Sequence, residues 1–228
     1  WILGSWAKAI AARDASRDYF FYSYRLIEQN RGQWDALAQT VDVIHLFAAP
    51  LYRMVPLPPS AAIVTSINHV ADWPNCAPAC ASDIVCYMSE EWRRYLLDQG
   101  LPADKLVYFP TGIDTDRYNP SISRDKSRRR FNLPQDLCVV GLFCKATSDE
   151  HRRKGTDAFV AAIRSLAGVR NHFGLFIAGP GWDHIVTSLR GQGFSVFYRP
   201  YIDPIDMPYA YRALDLHVVP SLVEGGPS

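Results

Sequence analysis

The residue types most suited to ligand binding lie in the last stretch of the chain, residues 209–228. A helix ending near Asp215 and an apolar strand at 216–219 are followed by a turn that contains Glu224, Gly225 and Gly226. A glycine-rich turn between a strand and a helix leaves backbone N–H groups free to bind phosphate. The Glu224 carboxylate would repel phosphate but accepts hydrogen bonds from ligand hydroxyls. On its own, the turn is more simply interpreted as a strand-to-helix connection with a solvated acid.

Cations follow a second apolar strand, predicted over residues 137–145. Lys145 ends that strand, and Lys154 and Gly155 begin the helix that follows a polar loop. Two lysine charges that converge on a diphosphate would stabilise the bound group and the negative charge that grows when it leaves. Each lysine taken alone is more simply explained as surface charge.

His69 directly follows a strand predicted over residues 61–67. An imidazole at that position could act on a ligand hydroxyl or donate a hydrogen bond to a departing phosphate, because its charge is adjustable near neutral pH. A loop-capping role is the alternative, and the position alone does not separate the two. His45, inside the strand predicted at 41–47, is interpreted as a core or near-core residue. The cysteines do not indicate a metal site, because no second Cys or His pair completes four ligands.

Apolar strand patterns alternate with helical patterns along most of the chain. Continuous apolar strands separated by helices predict parallel sheets covered on both faces, with ligands beyond the carboxyl ends of the strands. The aromatic residues 19–23 predict one more strand, and residues 24–40 predict one helix. The further strands are predicted at residues 83–88, 105–109, 173–178 and 194–201.

The basic and proline-containing segment 120–130 separates two series of strands and helices. We therefore predict two domains, an N-terminal one over residues 1–120 and a C-terminal one over residues 121–228. The run Arg128, Arg129 and Arg130 is most simply a solvated helix face. A role in binding lipid headgroups or nucleic acid is the less favoured alternative.

The composition limits the classes of partner. The 24 lysines and arginines nearly balance the 23 acidic residues, so no overall field favours nucleic acid. No apolar run reaches the roughly 18 residues that a membrane span needs. We expect a cytoplasmic protein, with peripheral membrane contact left open. The five cysteines are odd in number and scattered, which indicates reduced thiols. The chain starts with Trp1 and stops inside a turn motif, so we expect a fragment.

Several motifs, in order, resemble the retaining GT-B glycosyltransferases of family 4. Within residues 209–228, the sequence Tyr-Arg-Ala-Leu-Asp, then Val-Val-Pro-Ser, then Glu-Gly-Gly-Pro resembles the donor-site signature of that family. Residues 83–89, 105–114 and 117–120 resemble further family motifs, with Thr111 where the family usually has Asn. The resemblance covers most of the chain after residue 60. The second acid of the family's Glu-x7-Glu pair would lie beyond Ser228.

The resemblance implies an α/β protein of GT-B type, with two Rossmann-like, doubly wound parallel-sheet domains facing a cleft. The second domain would be incomplete and the chain truncated at both ends. The donor would bind mainly to the second domain and the acceptor mainly to the first.

The resemblance also assigns roles to residues. Lys154 and Gly155 match the family's diphosphate-binding pair, and Lys145 stands where the family has an arginine. Arg152 or Arg153 could supply the missing guanidinium. Glu224 would hold sugar hydroxyls, and the Gly225 and Gly226 amides would hold the diphosphate. His69 would face the reacting sugar.

The implied activity is transfer of a hexose from a UDP- or GDP-linked sugar to a hydroxyl of a glycan, lipid or small molecule, with retention of configuration. No metal or other cofactor is expected. No carboxylate pair of glycosidase type is evident in the sequence, so we expect stabilisation of the leaving group without a protein nucleophile. The alternatives are a sugar-nucleotide epimerase or a phosphorylase on the same fold, or a catalytically silent nucleotide-binding module.

Overall fold

A computed structural model describes residues 2–67, 81–110, 112–147 and 151–222, with backbone only for residues 2–6, 151 and 152. The chain divides into two compact units, one within Trp1–Gly112 and one comprising Ile113–Val223. The domain boundary at residue 120 stays a prediction from sequence. No helix in the described residues is both long enough and apolar enough to cross a membrane.

The first unit contains a parallel sheet with the strand order β1-β2-β3-β4. Its strands are β1 (Val43–Leu46), β2 (Ala62–Ser66), β3 (Ile84–Tyr87) and β4 (Leu106–Tyr108). Its helices are α1 (Ile2–Ala11), α2 (Tyr24–Gln29), α3 (Arg31–Ala38), α4 (Leu51–Met54) and α5 (Glu90–Asp98), with a 3-10 turn at Ala103–Lys105. All four strands lie within segments that the apolar pattern predicted.

The second unit contains another parallel sheet, with the strand order β7-β6-β5-β8. Its strands are β5 (Cys138–Phe143), β6 (Phe173–Ala178), β7 (Ser195–Arg199) and β8 (Leu216–His217). Its helices are α6 (Arg124–Phe131), α7 (His151–Lys154), α8 (Thr156–Ser165), α9 (Asp183–Gly191) and α10 (Met207–Arg212), with a 3-10 segment at Ala167–His172. The predicted α/β class with two parallel sheets is confirmed.

Each sheet buries apolar side chains against helices. Every residue of β6 is buried, which fits a central strand covered on both faces. One core cluster joins β5 and β6 to α8 and α9, and a separate cluster joins the same strands to α6 and α10. In the first unit, α5 packs Trp92 and Leu96 against the sheet. The Ser89 hydroxyl accepts a hydrogen bond from the Trp92 amide, as its N-cap position predicts.

Two predictions about the first unit are wrong. Residues 19–23 form no strand: Tyr22 packs edge-on against Trp34, while Phe20 and Phe21 are 59% and 43% exposed. Their backbone pairs with no strand in the described part of the chain. A high content of aromatic residues is not sufficient for a segment to pair with a neighbouring strand. The single helix predicted at 24–40 is two helices, because Asn30 leaves helical geometry with φ −133° and ψ 50°.

The prediction of a solvated basic face on α6 is wrong for Arg128. Its side chain is 0% exposed, whereas Arg129 and Arg130 are exposed. The Arg128 guanidinium donates to the carbonyl oxygens of Pro134, Gln135, Leu137 and Ala213, and to the Asp215 carboxylate. A buried guanidinium is tolerated when its donors are all satisfied in this way. Arg128 therefore holds together the segments that lead into β5 and β8.

Candidate functional site

The loop that carries Lys145 is fixed against the loop that follows β6. The Cys144 amide donates to the Ala178 carbonyl at 3.0 Å, and the Ala146 amide donates to the Pro180 carbonyl at 2.9 Å. A Cβ atom at Gly179 would lie 2.2 Å from the Cys144 carbonyl oxygen, so only glycine permits this approach. Backbone contacts thus set the position of Lys145, whose side chain is exposed at the carboxyl end of β5.

Residues 153–155 lie against the segment that follows β8. Gly155 has φ 63° and is the N-cap of α8, and a Cβ atom there would lie 2.0 Å from the Pro220 carbonyl oxygen. The Leu222 amide donates to the Arg153 carbonyl at 2.9 Å. The side chains of Arg153 and Lys154 are half-buried. Because β5 and β8 are neighbouring parallel strands, Lys145 and this turn both lie at the carboxyl edge of the second sheet.

The structure therefore brings four predicted site residues, Lys145, Arg153, Lys154 and Gly155, to one edge of one sheet. The other four, His69, Glu224, Gly225 and Gly226, lie outside the described residues. Their predicted roles stay predictions.

An ion pair between a buried arginine and a partly exposed aspartate supports the amino-terminal side of the same two strands. Asp215 immediately precedes β8, and its Oδ2 atom accepts from the Arg128 guanidinium at 2.5 Å and from the Val139 amide at 2.7 Å. Arg124 also bonds to this carboxylate. Burial raises the pKa of Asp215, but the Val139 amide and the two arginines outweigh it, so the pKa is lowered overall. Asp215 thus ties β5, β8 and α6 together as a carboxylate.

This pairing is not predicted by the sequence. Arg128 and Asp215 are 87 residues apart along the chain, and the arginine run of α6 resembles surface charge. The only sequence signal is the position of Arg128 three residues before Phe131, which places both on the buried face of α6.

The carboxyl edge of the first sheet carries a second polar cluster. His45 Nε2 and Ser66 Oγ are hydrogen bonded at 2.8 Å. The His45 ring stacks on Phe47 with a centroid distance of 4.1 Å and meets Phe109 edge-on at 5.9 Å. Burial lowers the pKa of His45 from its ordinary value of 6.5 to about 4. The imidazole is therefore neutral at physiological pH.

The lowered pKa of His45 predicts acid sensitivity. Below pH 6.5 the unfolded chain binds a proton at His45 that the folded protein refuses, so stability falls with pH down to about pH 4. Between pH 7 and pH 5 we expect His45 to contribute a loss of about 2 kcal/mol in the free energy of unfolding. Urea unfolding of the wild type and of His45→Gln at both pH values measures this contribution. The variant should lose less stability than the wild type, and equal losses would contradict the assignment.

Among the described residues, no group of three or more His, Cys, Asp or Glu side chains is arranged to hold a metal ion. Cys86, Cys138 and Cys144 are in the reduced, thiol form. The expectation that the protein needs no metal stays a prediction.

Comparisons of the sequence with curated proteins give relatives that are glycosyltransferases. A GDP-mannose-dependent alpha-(1-6)-phosphatidylinositol monomannoside mannosyltransferase from Mycobacterium tuberculosis is 30% identical over 148 residues, which span 59% of this chain and 37% of that protein. The lipopolysaccharide core biosynthesis mannosyltransferase of Rhizobium meliloti is 29% identical over 121 residues, which span 50% of this chain and 33% of that protein. The chain thus covers about a third of the length of these curated relatives. No protein-family model matches it.

Solved structures agree on the fold. The sucrose-phosphate synthase of Thermosynechococcus elongatus superposes with a TM-score of 0.66 at 18% identity, over 90% of this chain and 57% of that one. An Anabaena protein solved in complex with UDP-glucose superposes with a TM-score of 0.59 at 19% identity, over 85% of this chain and 62% of that one. At sequence identities this low, the matches support a shared fold and nothing further. In sequence and in fold, the chain resembles the GT-B glycosyltransferases of group 1.

Proposed function

We propose that the protein is a retaining hexosyltransferase that moves a sugar from a nucleoside-diphosphate sugar to an acceptor hydroxyl. One observation carries the proposal: residues 153–155 pack against residues 220–222 at the sheet edge where Lys145 emerges. The carboxyl edge of a parallel sheet is where such folds bind nucleotides. The kinship with mannosyltransferases supports the same assignment.

The diphosphate would bind at the amino terminus of α8. Gly155 caps this ten-residue helix, so the positive end of the helix dipole lies beside Lys154. Lys145 approaches from the neighbouring strand, and Arg153 supplies a further cation. Glu224 would hold the sugar hydroxyls, and the Gly225 and Gly226 amides would complete the phosphate site.

In the proposed reaction, the acceptor oxygen forms a bond to the anomeric carbon while the bond from that carbon to the diphosphate oxygen breaks. The acceptor proton passes to the departing diphosphate, and His69 faces the reacting sugar. The cations stabilise the negative charge that grows on the leaving group. The proposal needs no protein nucleophile and no bound metal.

The relatives narrow the substrates to classes. One acts with GDP-mannose and another protein of this fold binds UDP-glucose, so the proposed donor is GDP- or UDP-linked. The Mycobacterium tuberculosis relative is a phosphatidylinositol monomannoside mannosyltransferase, which supports a glycan or lipid acceptor. Such an acceptor would bring the protein into peripheral contact with a membrane. We propose no nucleic-acid partner.

The proposal predicts donor binding that depends on the two lysines. Lys154→Gln and Lys145→Gln should each weaken GDP or UDP binding about tenfold or more, because hydrogen bonds to charged groups contribute about 1.5–3 kcal/mol. Calorimetry measures the affinities, and donor turnover shows whether binding leads to reaction. Arg129→Gln, which removes an exposed cation from α6, is the matched control.

The outcomes separate the alternatives. Binding with turnover and a retained anomeric configuration supports the transferase. Inversion contradicts the proposed mechanism, and binding without turnover favours a silent nucleotide-binding module. Sugar isomerisation without an acceptor favours an epimerase, and turnover that requires inorganic phosphate favours a phosphorylase.

A further inference from the structure

A groove of about 430 Å³ lies within the second unit, between residues 116–122, which precede α6, and residues 205–209 around the start of α10. Its volume is in the range of small-molecule sites. It is lined by none of the predicted donor-site residues that the structure describes, which are Lys145, Arg153, Lys154 and Gly155. The proposed donor site therefore does not account for this groove.

Hydrogen bonds hold the two segments that form the groove together. The Arg212 guanidinium, at the end of α10, donates to the Ile122 carbonyl at 2.8 Å. The Arg117 guanidinium donates to the Pro204 carbonyl. These bonds form the groove before a ligand enters it, so binding has to order few groups of the protein.

Part of the groove is apolar. The apolar lining consists of Ile122, Ile205, Pro208 and Tyr209. Ile205 and Tyr209 are 68% and 37% exposed, and clustered apolar side chains that stay exposed are typical of ligand-binding grooves. The Arg130 guanidinium lies 5.2 Å from the centre of the Tyr209 ring and holds the ring in place. An exposed, fixed aromatic ring among aliphatic side chains suits a ligand that has an apolar face.

The polar lining carries one charge of each sign. Asp116 and Arg117 are exposed, and they are the two charged residues that line the groove in the part of the chain that the structure describes. The Asp116 carboxylate repels a phosphate and Arg117 repels an ammonium group, but each of them can bond to a hydroxyl. A guanidinium has five N–H donors, so Arg117 can bind a ligand while it holds Pro204. The third polar residue, Asn119, donates to the Asp116 carbonyl at 2.6 Å and braces the segment. The polar lining thus favours a neutral ligand with several hydroxyls.

We propose that this groove binds a pyranose unit of a glycan, with the apolar face of the sugar ring against Tyr209 and its hydroxyls bonded to Asp116 and Arg117. A sugar ring combines a C–H face with neutral hydroxyls, which matches both parts of the lining. The groove is a binding site, and none of its residues takes part in the proposed transfer. Its use rests on the proposed function, because a second glycan site keeps the acceptor or the product close to the enzyme by raising its local concentration.

Saturation-transfer NMR with methyl α-D-mannopyranoside and methyl α-D-glucopyranoside tests the inference. At least one of these probes should bind to the wild type. Tyr209→Ala should weaken that binding about tenfold, and Asp116→Ala about fivefold, the loss of one hydrogen bond. Tyr209→Phe keeps the aromatic ring and should bind the probe as the wild type does. Tyr201→Ala is the matched control, because it removes a tyrosine that is 71% exposed and does not line the groove, and it should leave the affinity unchanged.

Three results would overturn the inference. The first is that neither probe binds to the wild type, and the second is that Tyr209→Ala and Asp116→Ala bind the probe as tightly as the wild type. The third is displacement of the probe by inorganic phosphate, which would show that the groove takes an anion. Asp116 lies outside any helix or strand, so Asp116→Ala still tests the groove if Tyr209→Ala fails to fold.

The two proposals fail in different ways. A wild type that binds a probe through Tyr209 and Asp116 but binds no nucleotide contradicts the transferase proposal and supports the sugar groove. A wild type that binds and turns over a donor but binds neither probe overturns the sugar groove alone.

Discussion

Replacing Arg128 with methionine should lower the free energy of unfolding by about 3–5 kcal/mol. The change removes one partner of the Asp215 carboxylate, which keeps Arg124 and the Val139 amide, and leaves the carbonyl oxygens of Pro134, Gln135, Leu137 and Ala213 without this donor. A buried polar group left without a partner carries its full desolvation cost. Urea unfolding at neutral pH measures the loss.

Arg129→Met is the matched control for this prediction. It makes the same chemical change one residue further along α6, where the side chain is exposed. Exposed substitutions of this kind usually change stability by less than about 0.5 kcal/mol. Equal stability of the two variants would show that the buried guanidinium does not hold β5 and β8 in place.

Gly155→Ala should lower the free energy of unfolding by about 2–3 kcal/mol and weaken nucleotide binding at least tenfold. The new Cβ would lie 2.0 Å from the Pro220 carbonyl oxygen, and φ of 63° is strained for any residue with a side chain. The clash is with backbone, so residues 220–222 must move away from Lys154. Calorimetry with GDP and UDP measures the affinity, and urea unfolding measures the stability.

The control for this variant is Gly168→Ala. No atom lies within 4 Å of a Cβ built there, so we expect little change in stability or in nucleotide affinity. If Gly155→Ala binds nucleotide as tightly as the control, binding of the diphosphate does not depend on the packing of residues 153–155 against residues 220–222.

The fold was largely predictable because parallel strands buried on both faces have a simple pattern. The apolar run 173–178 predicts both ends of β6 correctly. All six residues of this central strand are buried, so the apolar run and the strand begin and end at the same residues. The break at Asn30 and the irregular course of residues 19–23 were not predictable. The course of residues 19–23 depends on tertiary packing, such as that of Tyr22 on Trp34, which no local pattern encodes.

The candidate site was predictable only in part. Lys154 and Gly155 follow from a motif that adjoins the start of a helix, and α8 begins directly after them. The contact of Gly155 with Pro220 joins residues far apart in the chain, so it required coordinates. The hydrogen bond between His45 and Ser66 joins residues on neighbouring strands, so it also required coordinates. The burial of Arg128 was not predictable, because the composition of a run of arginines does not show which of them is buried.

The most direct test of the account is a crystal structure of the protein soaked with GDP or UDP. We expect the diphosphate at the carboxyl edge of the second sheet, in contact with Lys145, Lys154 and the amino terminus of α8. A diphosphate bound at the edge of the first sheet, beside His45, would contradict it. So would a nucleotide elsewhere on the second unit that touches neither lysine.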